Sequence, residues 1–340
     1  MSSEPAQYGG IEFGGTKVVC AIGTGPDDIR ALERLPTEDP DATLDAVAAW
    51  FRHATAADGP VRAVGVSAFG PIETRRDRPA FGRLLATPKP GWSGIDLVGP
   101  LRAALGVPIG LETDVVGAAL AEGRWGAARD VASFVYLTIG TGIGGGAVAD
   151  GRPIPGVPHA EMGHQSVGRQ PDDTFEGVCP YHGDCLEGLA SGPAIRARWG
   201  APGETLRDER LAAAVDLEAR YLADGLRTIV YVLAPGRIVV GGGVAELPGL
   251  LPRLRERLRE SLSGYPGIAE HAEADFVRPV ELGGRAGVLG GFIVAQRAAS
   301  GDPDGVSPTP PAGSSAARPG RPAPPRAPAR RRRRPPGRAT

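Results

Sequence analysis

The sequence predicts an α/β protein, and three features carry that reading. Short apolar segments alternate with stretches of helical spacing. Two of the apolar segments double back through Gly-Thr turns, GGIEFGGTKVVCAIG (9–23) and ASFVYLTIGTGIGGGAVADGRPI (132–154). A third, RIVVGGGV (237–244), reads as a buried strand running into three glycines. With 340 residues, 41% of them hydrophobic, the chain can build one large domain or two of ordinary size.

The elements follow in order. Residues 9–23 read as strand, tight turn, strand, so a β-hairpin opens the fold. TLDAVAAWFRHATA (43–56) places Leu44, Val47, Ala48 and Phe51 on one helical face. VRAVGVSAFG (61–70) is a short apolar strand, DLVGPLRAAL (96–105) a helix and VPIGLETD (107–114) another strand. VVGAALAEGRWGAA (115–128) reads as a helix directly after Asp114. Residues 132–154 resemble the opening hairpin in design, a weak internal repeat. Helices follow at 211–233, 251–262 and 286–299, with the strand at 237–244 among them. Residues 301–340 are Pro, Arg, Ala, Gly and Ser without periodicity, and read as a disordered tail.

Charge is divided unevenly. Nine Arg against Asp302 and Asp304 give the last forty residues +7, which leaves −8 on the rest of a chain whose net charge is −1. An acidic body with a basic tail does not read as a nucleic-acid-binding fold. The run at 330–334 could touch RNA or anionic lipid, but its composition suits a solvated accessory tail. Three cysteines in a chain this long argue against a disulfide scaffold. No apolar run reaches the ~18–20 residues of a membrane span, and no signal peptide is evident. The expected compartment is the cytoplasm, with neither membrane nor nucleic acid as a partner.

The glycine turns suit a phosphate clamp. Tight turns expose backbone N–H groups and let a phosphate approach closely, and Thr adds a hydroxyl donor. The first is Gly14, Gly15, Thr16 and Lys17; the second runs from Gly140 through Thr141, Gly142 and Gly144 to Gly146. Gly241, Gly242 and Gly243 form a third cluster, where a flat ring could lie on bare backbone. Neither P-loop nor dinucleotide-fingerprint spacing is present. Asp114, at a strand end just before a helix, is placed as a general base for phosphoryl transfer. The same position equally suits an Asp that caps the following helix.

His164, Cys179, His182 and Cys185 give H-x14-C-x2-H-x2-C. Four soft or borderline donors with two x2 spacings fit tetrahedral Zn²⁺. A Cys179–Cys185 disulfide and unligated buried side chains are the alternatives. An independent nucleic-acid finger does not fit, because the set lies between a hairpin and a helix with no basic helix behind it.

Taken together, these residues match a family. The chain resembles the ROK sugar kinases, and within them the bacterial fructokinase branch. The resemblance rests on GGIEFGGTK (9–17), SAFGPIE (67–73), ATPKPGW (86–92), ETDVVGAALAE (112–122), LTIGTGIGGG (137–146), PHAEMGHQSV (158–167), CPYHGDCLEGLASGPA (179–194) and IVVGGGV (238–244).

The resemblance implies the actin-like ATPase (ribonuclease H-like) fold, two α/β domains around a central cleft, and a homodimer. It implies domains at 1–116 and 117–285, with the helix at 286–300 returning to the first. It implies that the two Gly-Thr turns clamp ATP phosphates, that Gly241 to Gly243 lie near adenosine, and that Asp114 is the base. Glu161, His164 and Glu187 would hold the sugar, Mg²⁺ would accompany ATP, and Zn²⁺ would be structural. The implied activity is ATP-dependent phosphorylation of fructose to fructose 6-phosphate. The TPKPGW run and the C-x2-H-x2-C knuckle favour fructose over glucose, mannose or an N-acetylhexosamine. A sugar- or nucleic-acid-binding protein without kinase activity is the rival from another class. A repressor of the same family needs a helix-turn-helix ahead of the kinase fold, and only about eight residues precede the first strand. Two departures stand out: Val116 replaces a usual Asn, and Phe13 stands beside the first turn where a small residue is common and could crowd it.

Overall fold

The computed structural model describes residues 6–301. Three antiparallel strands come first: β1 (Tyr8–Phe13), β2 (Lys17–Gly25) and β3 (Asp28–Pro36). α1 (Pro40–Asp58) leads into β4 (Val64–Ala68), and α2 (Val98–Leu105) into β5 (Ile109–Thr113). β4 pairs parallel to β1 and β5 parallel to β4, giving the sheet order β3-β2-β1-β4-β5. α3 (Asp114–Trp125) then leads into a second sheet. Its antiparallel part is β6 (Ser133–Ile139), β7 (Ile143–Ala149) and β8 (Arg152–Pro153); β9 (Ile238–Gly241) and β10 (Val277–Pro279) extend it in parallel. Its order is β10-β9-β6-β7-β8, so each sheet, numbered from its own first strand, follows the same path. The hairpin repeat legible in the sequence is the start of a duplicated sheet.

The helices of the second part are α4 (Leu186–Ala190), α5 (Gly192–Trp199), α6 (Asp208–Leu233), α7 (Leu250–Leu262) and α8 (Ala286–Ser300). Strand periodicity did not reveal β3 or β10. β3 is charged and mostly half-exposed, and β10 has only three residues. Among the described residues, no helix is long and apolar enough to cross a membrane. The expected tail beyond Gly301 lies outside the described residues.

Alternation along each strand sorts side chains into layers. On β2, Val18, Cys20 and Ile22 join Val47 and Phe51 of α1, whereas Val19 and Ala21 face Val288 and Phe292 of α8. In the second sheet, Leu137 and Ile139 pack with Leu222 and Leu226 of α6 and with Leu254 and Leu258 of α7. Phe134 and Tyr136 turn the other way, into the cluster that holds Ala118 to Ala121 of α3. α3 therefore shares one core with residues of both sheets. Phe13 does not crowd the first turn. It is fully buried, edge-on to Trp92 with ring centroids 6.4 Å apart, in the layer under α1.

α8 lies on the first sheet because that sheet has a row of missing side chains. Gly10, Gly65 and Gly110 pair in register across β1, β4 and β5. A Cβ on Gly65 would stand 2.0 Å from the Gly291 carbonyl oxygen, and one on Gly10 2.3 Å from that of Val288. Gly290 meets α3 as closely, its position for a Cβ lying 2.1 Å from the Gly117 carbonyl. Helix, sheet and helix thus touch backbone to backbone. Gly65→Ala is expected to cost about 3 kcal/mol or more, since no flexible side chain can yield. Gly284→Ala, at a position with nothing within 4 Å, should stay within about 0.5 kcal/mol. Urea midpoints of the two variants check this, and equal midpoints would contradict it.

Candidate active site

Asp114 is the first residue of α3, where β5 ends. The cap of that helix is Thr113, whose Oγ1 accepts from the Val116 N–H at 3.3 Å. Asp114 is thereby released from capping, and its Oδ1 accepts the adjacent Val115 N–H, at 2.8 Å. Burial pushes its carboxyl up to about 7; the Val115 N–H opposes the shift, and the negative charges of Glu12 and Glu161 add to it. A carboxylate that ionises near neutrality can accept a proton at working pH and pass it on. Glu12, at the end of β1, is itself raised by burial, with Lys17 acting against the shift. No motif in the sequence singled out Glu12; its position just ahead of the first glycine turn was the available signal.

The first turn has its carbonyls drawn away from the solvent side. The Gly14 oxygen accepts from Thr37 Oγ1 at 2.9 Å, the Gly15 oxygen from Lys89 Nζ at 2.6 Å, and the Thr16 oxygen from the Thr37 N–H at 3.1 Å. In a trans peptide the next N–H points opposite to the carbonyl. The N–H groups of Gly15, Thr16 and Lys17 are therefore directed away from those donors, and all three residues are exposed. Such a run of N–H groups is an anion-binding arrangement.

In the second turn, the Gly140 N–H bonds the Gly142 oxygen at 2.9 Å, and the Gly140 oxygen accepts from Gly192 at 2.7 Å. Thr141 is exposed. Gly140, Thr141 and Gly243 line one pocket of about 430 Å³, together with Gly192, Arg196, Gly203 and Leu247. The pocket sits at the C-terminal ends of the parallel strands β6 and β9, where open α/β sheets commonly bind ligands. Gly241 and Gly242 pack closely against Val280 and Ile139. The far wall of the pocket, from Gly192 to Leu247, is not legible in the sequence, because helix starts and a loop converge there only in space.

The remaining glycines of β7 seat the next loop. A Cβ on Gly144 would meet Val115 Cγ1 at 2.8 Å and one on Gly146 the Val115 oxygen at 2.9 Å, so β7 rests on the start of α3. On its other side, a Cβ on Gly145 would stand 2.5 Å from Met162 Sδ, and one on Gly163 2.0 Å from the Ile143 oxygen. The segment carrying Glu161 and His164 thus lies against the strand that lies on Val115, the residue after Asp114. The Glu161 side chain is 51% exposed. Glu187, on α4, accepts the Ile143 N–H at 2.8 Å, which ties it to the second turn.

His164, Cys179, His182 and Cys185 converge, each offering one ligand atom, with all four atoms within 4.8 Å of one another. Sγ of Cys179 is 3.7 Å from Nδ1 of both His164 and His182, and Sγ of Cys185 is 3.6 Å from Nδ1 of His164. With Zn–S of about 2.3 Å and Zn–N of about 2.0 Å, a tetrahedron has S···N edges of about 3.6 Å. The donor set therefore fits Zn²⁺. Both cysteines are free thiols rather than a disulfide. Burial, with Cys179 alongside, raises the Cys185 thiol, a cost that a cation would reverse. Because Nδ1 of His164 faces the sulfurs, its Nε2 is left for another partner.

The family pattern described as "ROK family" matches residues 8–298. A fructokinase from Zymomonas mobilis is 42% identical over 301 residues, covering 87% of this chain and 98% of its own length. Among solved structures, a ROK hexokinase from Thermus thermophilus superposes with a TM-score of 0.70 at 32% identity, covering 85% of this chain and 98% of that one. A ROK glucokinase from Streptomyces griseus, in complex with glucose and AMPPNP, gives 0.69 at 26% identity, covering 86% and 100%. The two mixed sheets are those of the actin-like ATPase fold, and the chain belongs to the ROK family.

Proposed function

We propose that the protein is an ATP-dependent fructokinase that forms fructose 6-phosphate. The observation that carries this reading is Asp114, a half-buried carboxylate at the start of α3 that burial pushes up to about 7. Identity to fructokinases, 42% for the Zymomonas mobilis protein, supports the sugar.

In this reading Asp114 takes the proton of the sugar's 6-hydroxyl as that oxygen attacks the γ-phosphoryl. Gly14, Gly15, Thr16 and Lys17 hold the phosphates from one side, and Gly140, Thr141 and Gly142 from the other, with adenosine in the pocket at Gly243. Gly144, Gly241 and Gly242 act by letting those walls pack. Glu161, His164 and Glu187 orient the hexose. Mg²⁺ bound with ATP would neutralise phosphate charge, and Glu12 would be a carboxylate able to help hold it. Zn²⁺ on His164, Cys179, His182 and Cys185 would fix the loop between Glu161 and Glu187 and take no part in proton transfer. We read residues 1–116 with 286–300 as one closing half and 117–285 as the other. The reading further holds the working protein to be a cytoplasmic homodimer.

Several outcomes test this. ADP release should be fastest with fructose over glucose, mannose and N-acetylglucosamine; a higher kcat/KM on any of the others would replace the assigned sugar. Asp114→Asn should lower kcat by about 10³-fold while sugar binding changes little. The same variant should be more stable. The native carboxyl holds its proton up to about pH 7, whereas an unfolded Asp releases it near 3.8, so wild-type stability falls as pH rises between those values. The gain in Tm from Asp114→Asn should therefore grow from pH 4 to pH 7 and then level off. A constant gain would place the ionisation elsewhere. Stripping zinc with a chelator should lower Tm and raise the sugar KM more than the ATP KM. Unaltered fructose affinity in zinc-free protein would refute the loop-fixing role.

A further inference from the structure

We infer that His159 is a positioning residue that holds Glu161 in place and ties it to the backbone of segment 70–74. The inference rests on reading Glu161 as a sugar ligand. His159 Nε2 lies 3.3 Å from the Ile72 backbone nitrogen, which donates to it. A ring nitrogen that accepts carries no proton, so in the neutral ring the proton is on Nδ1. Nδ1 lies 3.4 Å from Glu161 Oε1. One neighbour thus sets the tautomer, and the tautomer presents a donor to the carboxylate.

The ring cannot easily turn away. Its side chain is 11% exposed. A Cβ on Gly70 would lie 3.3 Å from its Cε1, and one on Gly156 3.0 Å from its Cα. Thr74 Oγ1 donates to the Pro158 carbonyl at 3.3 Å, a second tie between the same two segments. Segment 70–74 is braced in turn by the bridge between Ile72 and Leu84 and by the Glu73–Arg75 ion pair. The half-exposed Glu161 carboxylate is thereby oriented by a half of the molecule to which it does not belong in sequence. The sugar end of the site is complete only when both segments are in contact.

Two replacements separate the two ring contacts. Asn at 159 keeps a donor near the place of Nδ1, and Gln keeps a polar atom near that of Nε2. His159→Gln should raise the fructose KM about tenfold, with kcat and the ATP KM less affected, and His159→Asn should raise it only about twofold. In a Glu161→Gln background, His159→Gln should add no further rise in KM. Nitrogen NMR of ring-labelled full-length protein should show a neutral imidazole at 159 protonated on Nδ1. Equal effects of the two replacements, additivity with Glu161→Gln, or an Nε2-protonated ring would each overturn the inference. A wild-type protein that phosphorylates no hexose would sink the kinase reading instead, and the tautomer at 159 would then decide the inference.

Discussion

α8 can rest on the first sheet only because three strands carry no side chain at one register. Gly10, Gly65 and Gly110 form a trough across β1, β4 and β5, and Gly291 and the Val288 and Val294 carbonyls settle into it. The cost of so many glycines is unfolded-chain entropy, and what they return is contact between backbones at distances no other residue allows. Every element of the site refers back to this contact. α8 touches α3 at Gly290 and Gly117, α3 begins with Asp114, and Glu12 projects from β1 toward Gly287 at the head of α8. Moving α8 by the width of a methyl group would shift the candidate base and its acidic neighbour together.

A second series of close approaches carries the position outward. β7 lies on Val115 through Gly144 and Gly146, and the 161–164 segment lies on β7 through Gly145 and Gly163. The Cys/His cluster stands at the end of that series. It joins His164 to a knuckle in which Cys179 and Gly183 exchange backbone hydrogen bonds, and the knuckle leads into α4 and Glu187. The ligand end of the site is thus built on loops, but loops fastened at each step by contacts too tight to slide.

The electrostatics work against stability. Burial raises both Asp114 and Glu12, and the negative charges of Glu12 and Glu161 raise Asp114 further. Glu122 is the contrasting case on the same helix. It is fully buried, yet its carboxylate accepts the N–H groups of Ala127, Glu281 and Leu282 and clamps the end of α3 to the segment that precedes α8. One acid is satisfied by backbone donors and serves structure. The other meets backbone N–H groups only at the start of its own helix and keeps a perturbed ionisation, which suits chemistry.

Sequence alone determined the parts whose signal is local. Strand and helix periodicity placed most elements within a few residues. The Gly-Thr turns stood out because tight turns demand those residues, and the H-x14-C-x2-H-x2-C spacing marked four donors before their convergence could be seen. Whether Asp114 caps its helix or stands free could not be read, because Thr113 is an equally good cap and only the fold chose it. Phe13 looked like an obstacle beside the first turn until strand alternation and Trp92 drew it into the core. The glycine trough, the far wall of the 430 Å³ pocket and the His159 contacts join residues tens to hundreds of positions apart. Sequence pattern records which face a residue occupies, and only tertiary packing decides what it meets there.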